Sequence, residues 1–221
     1  MTQQSHSTEC LNDELRGLLD GVDVPADVAQ AGARALSELA RSEVAPGLPV
    51  GAPAPDFTLA NATGRTVALS ERRADGPVVV SFYRGAWCPF CNLELRALQH
   101  ALPDITARGA SLIAISQQTP DHSLSLADKH DLTFDVLSDL DGTVATAWKV
   151  RFPVSVDFQT GLDYFQIDLA TENADGTSTL VVPATFVVDH DGVVRDRYAS
   201  VDYTTRMEPR AILDTLDRLR G

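Results

Sequence analysis

The sequence predicts an α/β fold, a mixed central sheet flanked by helices, carrying a helical extension at its N-terminus. Strand-like apolar runs alternate with stretches of helical composition through the middle of the chain. Two of those runs, over 78–83 and 111–116, are apolar on both faces, as strands covered from both sides must be. Hairpin patterns over 57–69 and 184–200 add antiparallel pairs, so the sheet is mixed rather than all-parallel.

The elements follow in chain order. Residues 11–19 and 25–44 are rich in Ala, Leu, Glu and Arg, with Pro25 suited to a helix start and Leu36, Leu39 and Ala40 on an apolar stripe. Pro and Gly then break any helix over 45–55. Residues 1–48 therefore read as a helical extension too small to fold alone, and 49–221 as the main domain. Runs 57–60 and 65–69 flank Asn-Ala-Thr-Gly and predict a hairpin. After the strand 78–83, a helix runs from Pro89 to about Ala107, followed by the strand 111–116. Thr119 and Pro120 offer a cap and a first helical residue for a helix over 120–130. A short strand over 134–137 and a short helix over 143–149 come next. Residues 150–181 mix Phe152, Phe158, Tyr164 and Phe165 with turn residues and read as a long insertion, of the kind that is functional or packs as a lid. A hairpin over 184–189 and 193–200 and a closing helix over 208–220 complete the chain.

Size and charge narrow the classes. A chain of 221 residues with 44% hydrophobic content buries enough surface to need no staple. Its 18 Lys and Arg against 31 Asp and Glu give a net charge of −13, which repels nucleic acid and anionic lipid. The longest apolar run is too short to cross a bilayer. The polar, acidic residues 1–25 show no signal-peptide pattern, so a soluble, cytoplasmic chain is expected. No G-x-G-x-x-G or phosphate-binding loop occurs, so no haem, flavin or nucleotide cofactor is expected.

The chemistry concentrates in Tyr-Arg-Gly-Ala-Trp-Cys-Pro-Phe-Cys-Asn over 83–92, which runs from a buried strand into a helix. Pro89 suits the first helical position, placing Cys88 at the N-cap and Cys91 in the first turn. The unpaired N–H groups there favour thiolate, the species that attacks disulfides and peroxides. The spacing also brings both sulfurs to one helical face, close enough to join. A zinc site would want four ligands; there is no second C-x-x-C, and His100 lies outside the common spacings, so no metal is expected. Cys10 stands apart in the polar tail. Trp87 is expected to wall the sulfur pocket, and Arg84 either to lend it positive charge or to form a surface salt bridge.

With these residues in place, the region 49–221 resembles the peroxiredoxin-like (alkyl hydroperoxide reductase/thiol-specific antioxidant) family of the thioredoxin-like superfamily. The resemblance rests on Gly-Ala-Pro-Ala-Pro-Asp-Phe-Thr-Leu over 51–59, on the Trp-Cys-Pro-Phe-Cys segment, and on Val-Pro-Ala-Thr-Phe-Val-Val-Asp over 182–189. It implies a thioredoxin-like fold. In thioredoxin relatives the Pro of the last motif is cis and faces the cysteine pair; this implies such a role for Pro183, with Thr185 beside it, the alternative being an ordinary trans proline at a strand start. Laid without gaps on the peroxiredoxin pattern, the family's peroxidatic Cys falls on Cys91, its Thr on Cys88, its Pro on Arg84 and its Arg on Pro183. The thioredoxin pattern instead finds Trp87, Cys88, Pro89, Cys91 and Pro183 all present.

The resemblance therefore implies a thiol-based antioxidant oxidoreductase. Cys88, the more exposed sulfur at the helix end, attacks; Cys91 resolves; and a thioredoxin-like dithiol reduces the resulting disulfide. The substrate is a hydroperoxide or a protein disulfide. Alternatives are a thiol-disulfide oxidoreductase acting on proteins and a redox sensor without turnover. No nucleic-acid or membrane partner is expected, and a homodimer is allowed.

Overall fold

The computed structural model describes residues 10–61 and 63–221, apart from the side chains of 121, 124, 128 and 129. The first nine residues of the expected extension and one residue of the expected 61–64 turn lie outside the described residues.

The chain begins with α1 (Leu11–Gly17) and α2 (Ala26–Ser42), then the hairpin β1 (Thr58–Asn61) and β2 (Thr66–Ala68), α3 (Leu69–Ala74) and β3 (Val78–Phe82). There follow α4 (Pro89–Ala107), β4 (Ser111–Ser116), α5 (Pro120–Lys129), β5 (Asp135–Ser138) and α6 (Thr143–Ala147). The expected insertion holds β6 (Arg151–Pro153), α7 (Val156–Tyr164), α8 (Leu169–Glu172) and β7 (Thr179–Val181). The chain closes with β8 (Ala184–Val188), β9 (Val194–Ala199) and α9 (Pro209–Arg220).

The described strands form a seven-stranded sheet in the order β2-β1-β5-β4-β3-β8-β9, with β6 and β7 pairing separately. β3 lies parallel to β4 and β4 to β5, while β8 runs antiparallel to β3 and to β9. The mixed sheet expected from the hairpins is thus present. Its pleat sorts β3 into two faces. Val78, Val80 and Phe82 enter the layer around Trp148 and Phe186, and Val79 enters the layer under α1, α4 and α9. Trp148 is fully buried against Phe82 and Phe186, and its indole N–H donates to the Pro55 carbonyl at 3.1 Å. On the other face, Leu11 and Leu15 of α1 join Leu95, Leu98 and Ile105 of α4.

Two expectations need correcting. Residues 150–181 are not a loop: a two-stranded ribbon and two helices occupy them, and α7 packs against α2. Short elements held by side chains rather than by apolar periodicity leave a weak sequence pattern. The buried face of α2 is set by Ala31 and Ala35, whereas Ala40 is exposed, because α2 meets one small helix rather than the sheet.

Candidate active site

Strand β3 delivers the chain from the sheet centre into a tight segment, 83–88, before α4 begins. Cys88 occupies the N-cap with extended backbone, and its carbonyl accepts from the amides of Cys91 and Asn92, both at 3.1 Å. The segment is pinned at Ala86, whose amide donates to Gln118 Oε1 at 2.6 Å and whose carbonyl accepts from Asn92 Nδ2 at 2.9 Å. Gly85 has φ of 147°, and a Cβ there would lie 2.5 Å from the Trp87 Nε1. Only glycine lets the indole approach this closely.

Both thiols are free, and both are buried: Cys88 is 1% exposed and Cys91 0%. The expectation that Cys88 is the more exposed sulfur is therefore corrected. Both sulfurs belong to the apolar layer against which Trp87 and Tyr203 pack, so this helix end meets protein rather than water. The two thiols differ in charge instead. A hydrogen bond from the Cys91 thiol brings the Cys88 pKa down to about 6; burial opposes it, and the charges of Arg84 and Arg206 reinforce it. Cys91 is pushed well above the ordinary thiol value by burial and then by Cys88 itself.

The nearest donors nonetheless fall on Cys91, whose Sγ accepts from Arg206 Nη2 at 3.1 Å and from the Arg84 amide at 3.4 Å. The pair holds one negative charge between two sulfurs. Cys88 carries it, because Cys91 can donate its own S–H toward Cys88 while its lone pairs receive Arg206.

Beneath the sulfurs lies a buried polar layer. Arg206 Nε donates to Glu94 Oε2, both side chains being 1% exposed. Glu94 Oε1 accepts from Thr185 Oγ1 at 3.2 Å and from Ser81 Oγ at 3.4 Å. Burial raises the Glu94 pKa against the pull of Arg206. Burial likewise works to lower that of Arg206, but Glu94 and the two cysteines outweigh it and raise it. The guanidinium stays charged.

Of the residues singled out in the sequence, Cys88, Cys91, Arg84 and Trp87 come together. Arg84 is not in a surface salt bridge: it is 6% exposed, with its guanidinium 4.4 Å from the Tyr203 ring centroid, 4.9 Å from Trp87 and 5.7 Å from Phe158. Pro183 is not cis, since the described residues contain no cis peptide bond. It stands between β7 and β8, where the chain runs on extended and needs no amide donor from that residue, so a trans proline fits. Pro183 lines a narrow cavity with Arg84, Phe158, Val182 and Tyr203. Thr185 serves the layer below the sulfurs, through Glu94, rather than the pocket itself.

The sequence reading missed Arg206 and Glu94. The cation that seemed lost when the family's Arg position fell on Pro183 is supplied from the segment between β9 and α9. Glu94 did leave a signal, a carboxylate one turn after Cys91 on a face otherwise made of Leu95, Leu98 and Ile105. Among the described residues no group of His, Cys, Asp or Glu could hold a metal ion, and no helix is long and apolar enough to cross a membrane.

Comparison with known proteins agrees with this architecture. The model of the AhpC/TSA family matches residues 50–197. A Mycobacterium tuberculosis (strain H37Rv) protein classed as a peroxiredoxin is 33% identical over 141 residues, 64% of this chain and 78% of the relative. The chloroplastic peroxiredoxin Q of Populus jackii is 28% identical over 160 residues, 72% of this chain and 62% of the relative. Among solved structures, peroxidoxin BcpB from Mycobacterium tuberculosis superposes with a TM-score of 0.63 at 26% identity, covering 79% of this chain and 99% of that one.

Proposed function

The chain belongs to the AhpC/TSA family and is a thiol-based, thioredoxin-dependent peroxidase, and from that premise we propose that Cys88 is the sulfur that attacks peroxide and Cys91 the one that resolves it. The observation that carries the assignment is the place of Cys88 at the N-cap of α4, where a hydrogen bond from Cys91 and the charges of Arg84 and Arg206 bring its pKa down to about 6 against burial.

The Cys88 thiolate attacks the terminal oxygen of a hydroperoxide. The O–O bond breaks, the alkoxide leaves beside Arg84 and is protonated to the alcohol, and Cys88 becomes a sulfenic acid. Arg84 suits this step as a buried cation near developing negative charge. Cys91 then attacks the Cys88 sulfur. An S–S bond forms, the S–O bond breaks, and hydroxide departs as water with the Cys91 proton. Arg206, in contact with Cys91 Sγ, favours the Cys91 thiolate that this step needs. A thioredoxin-like dithiol supplies two electrons and two protons and restores both thiols. The match to the AhpC/TSA family and to peroxiredoxin relatives supports a hydroperoxide over a protein disulfide as the oxidised substrate.

The test is a brief hydrogen peroxide pulse followed by dimedone labelling. Cys91→Ser is expected to label at Cys88 and, with reductant present, to accumulate a mixed disulfide with it. Fast labelling of Cys91 in Cys88→Ser, with little label at Cys88 in Cys91→Ser, would reverse the roles.

A further inference from the structure

We propose that Asn12 is a positioning residue of the active site: from the first turn of α1 it holds Arg206 against Cys91, and so sets how fast Cys91 closes the disulfide on Cys88. The proposal rests on the roles given to the two sulfurs above and adds a residue of the N-terminal extension to the machinery.

Arg206 lies in the irregular stretch between β9 and α9, where no strand or helix ladder fixes its peptide. Its side chain is 1% exposed, and its guanidinium donates to Cys91 Sγ at 3.1 Å and to Glu94 Oε2. The pull of a charge on a thiol falls with distance, so the effect of this cation depends on where its backbone is held. Asn12 holds it. The Asn12 carboxamide accepts from the Arg206 amide at 2.9 Å and donates to the Arg206 carbonyl at 2.9 Å, as a neighbouring strand would. An amide side chain has both the acceptor and the donors that this needs; an ionised aspartate only accepts. Asn12 is fixed in turn from the same stretch. Its Nδ2 also donates to Glu208 Oε1 at 2.5 Å, and its backbone amide donates to that oxygen at 2.9 Å. Asn12 lies ahead of residues 50–197, so this support comes from outside the region that the family model matches.

Resolution is the step that depends on Arg206 most. While Cys88 is a thiolate, its charge helps to keep the proton on Cys91, and Arg206 works against it. Oxidation of Cys88 to the neutral sulfenic acid removes that charge, and the pull of Arg206 remains. Cys91 then gives up its proton and its sulfur attacks Cys88. The S–S bond forms, the S–O bond breaks, and the oxygen departs with that proton as water.

The test uses the full-length reduced protein, one pulse of hydrogen peroxide without reductant, and dimedone added by quenched flow after increasing delays. Peptide mass spectrometry locates the label. In the wild type it is expected on Cys88 and to fade as the disulfide forms. Asn12→Ala leaves the amides of residues 11 and 12 on Glu208, so α1 keeps its cap. It is expected to slow the fading about ten-fold, within the ~100-fold that a misplacement of about 1 Å can cost. The same substitution in an Arg206→Met, Glu94→Leu background, where the buried charges are removed together, is expected to slow it no further. A role confined to stability would instead lower the urea midpoint and leave the fading unchanged, or slow it equally in both backgrounds. Fading at the wild-type rate in a folded Asn12→Ala, or equal slowing in both backgrounds, overturns the role of Asn12 and leaves the sulfur roles intact. Label on Cys91 with little on Cys88 in the wild type overturns the order of the sulfurs and, with it, the step assigned to Asn12.

Discussion

Two thiols one helical turn apart share the same cations, and the proton between them separates their roles. The pH dependence follows from the sign of each shift. Cys88 is lowered to about 6, so its thiolate forms as pH rises through that value; Cys91 is raised and stays protonated across the same range. Iodoacetamide alkylation of Cys88 is expected to rise with pH and to level off above about 6. In Cys91→Ala the midpoint should move upward, because burial then acts without the hydrogen bond that opposed it. A midpoint that does not move would show that Cys91 is not the donor. The Glu94–Arg206 pair makes a second prediction at this scale. Arg206→Met leaves a carboxylate buried without its cation and is expected to cost about 3–5 kcal/mol in urea unfolding, and Arg206→Met with Glu94→Leu should recover much of the loss. The cysteines, Trp87 and Arg84 were legible because a strand, a C-x-x-C and a helix start are local features. Arg206 was not, because it reaches Cys91 from 115 residues away in sequence. No short-range pattern encodes that meeting.

At the scale of elements, legibility followed apolar content. The strands β3, β4 and β8 and the long helix α4 are strongly apolar, and the sequence places them within a residue or two. The segment 150–181 resisted because side-chain hydrogen bonds organise it. Arg151 is its centre. It donates to the Thr179 hydroxyl at 3.0 Å, the Thr177 hydroxyl at 3.1 Å, the Asp175 carboxylate and the Asp141 carbonyl at 2.8 Å. The guanidinium lies so close over Gly142 that a Cβ there would meet it at 2.2 Å. Arg151→Ala is expected to loosen the β6–β7 ribbon and the turn after α8, since hydrogen bonds to a charged group contribute about 1.5–3 kcal/mol each. Limited proteolysis should then cut between 173 and 178, where the wild-type chain resists. Resistance equal to the wild type would mean that Asn173, which donates to the carbonyls of Thr177 and Thr179 at 2.8 Å, holds the turn unaided.

For the molecule as a whole, the division at residue 48 is the expectation most open to experiment. Read from composition, residues 1–48 are an appendage. In three dimensions Leu11 and Leu15 lie in the same apolar layer as α4 and α9, at 3% and 0% exposure. The start of α1 is bound from the far end of the chain: Glu208 accepts from the amides of Leu11 at 3.0 Å and Asn12 at 2.9 Å. A carboxylate there also complements the positive end of the helix. We propose that the extension and the main domain unfold as one unit. Leu15→Ala then removes a fully buried side chain from a shared core and should cost about 2–5 kcal/mol. The loss should appear in the global transition, as a lower urea midpoint with an unchanged slope. It should also weaken amide-exchange protection in α4 and α9, elements whose sequences the substitution leaves intact. If α1 were an independent appendage, the same substitution would fray α1 alone. An unaltered global midpoint, with exchange increased only in α1, would restore the boundary at 48.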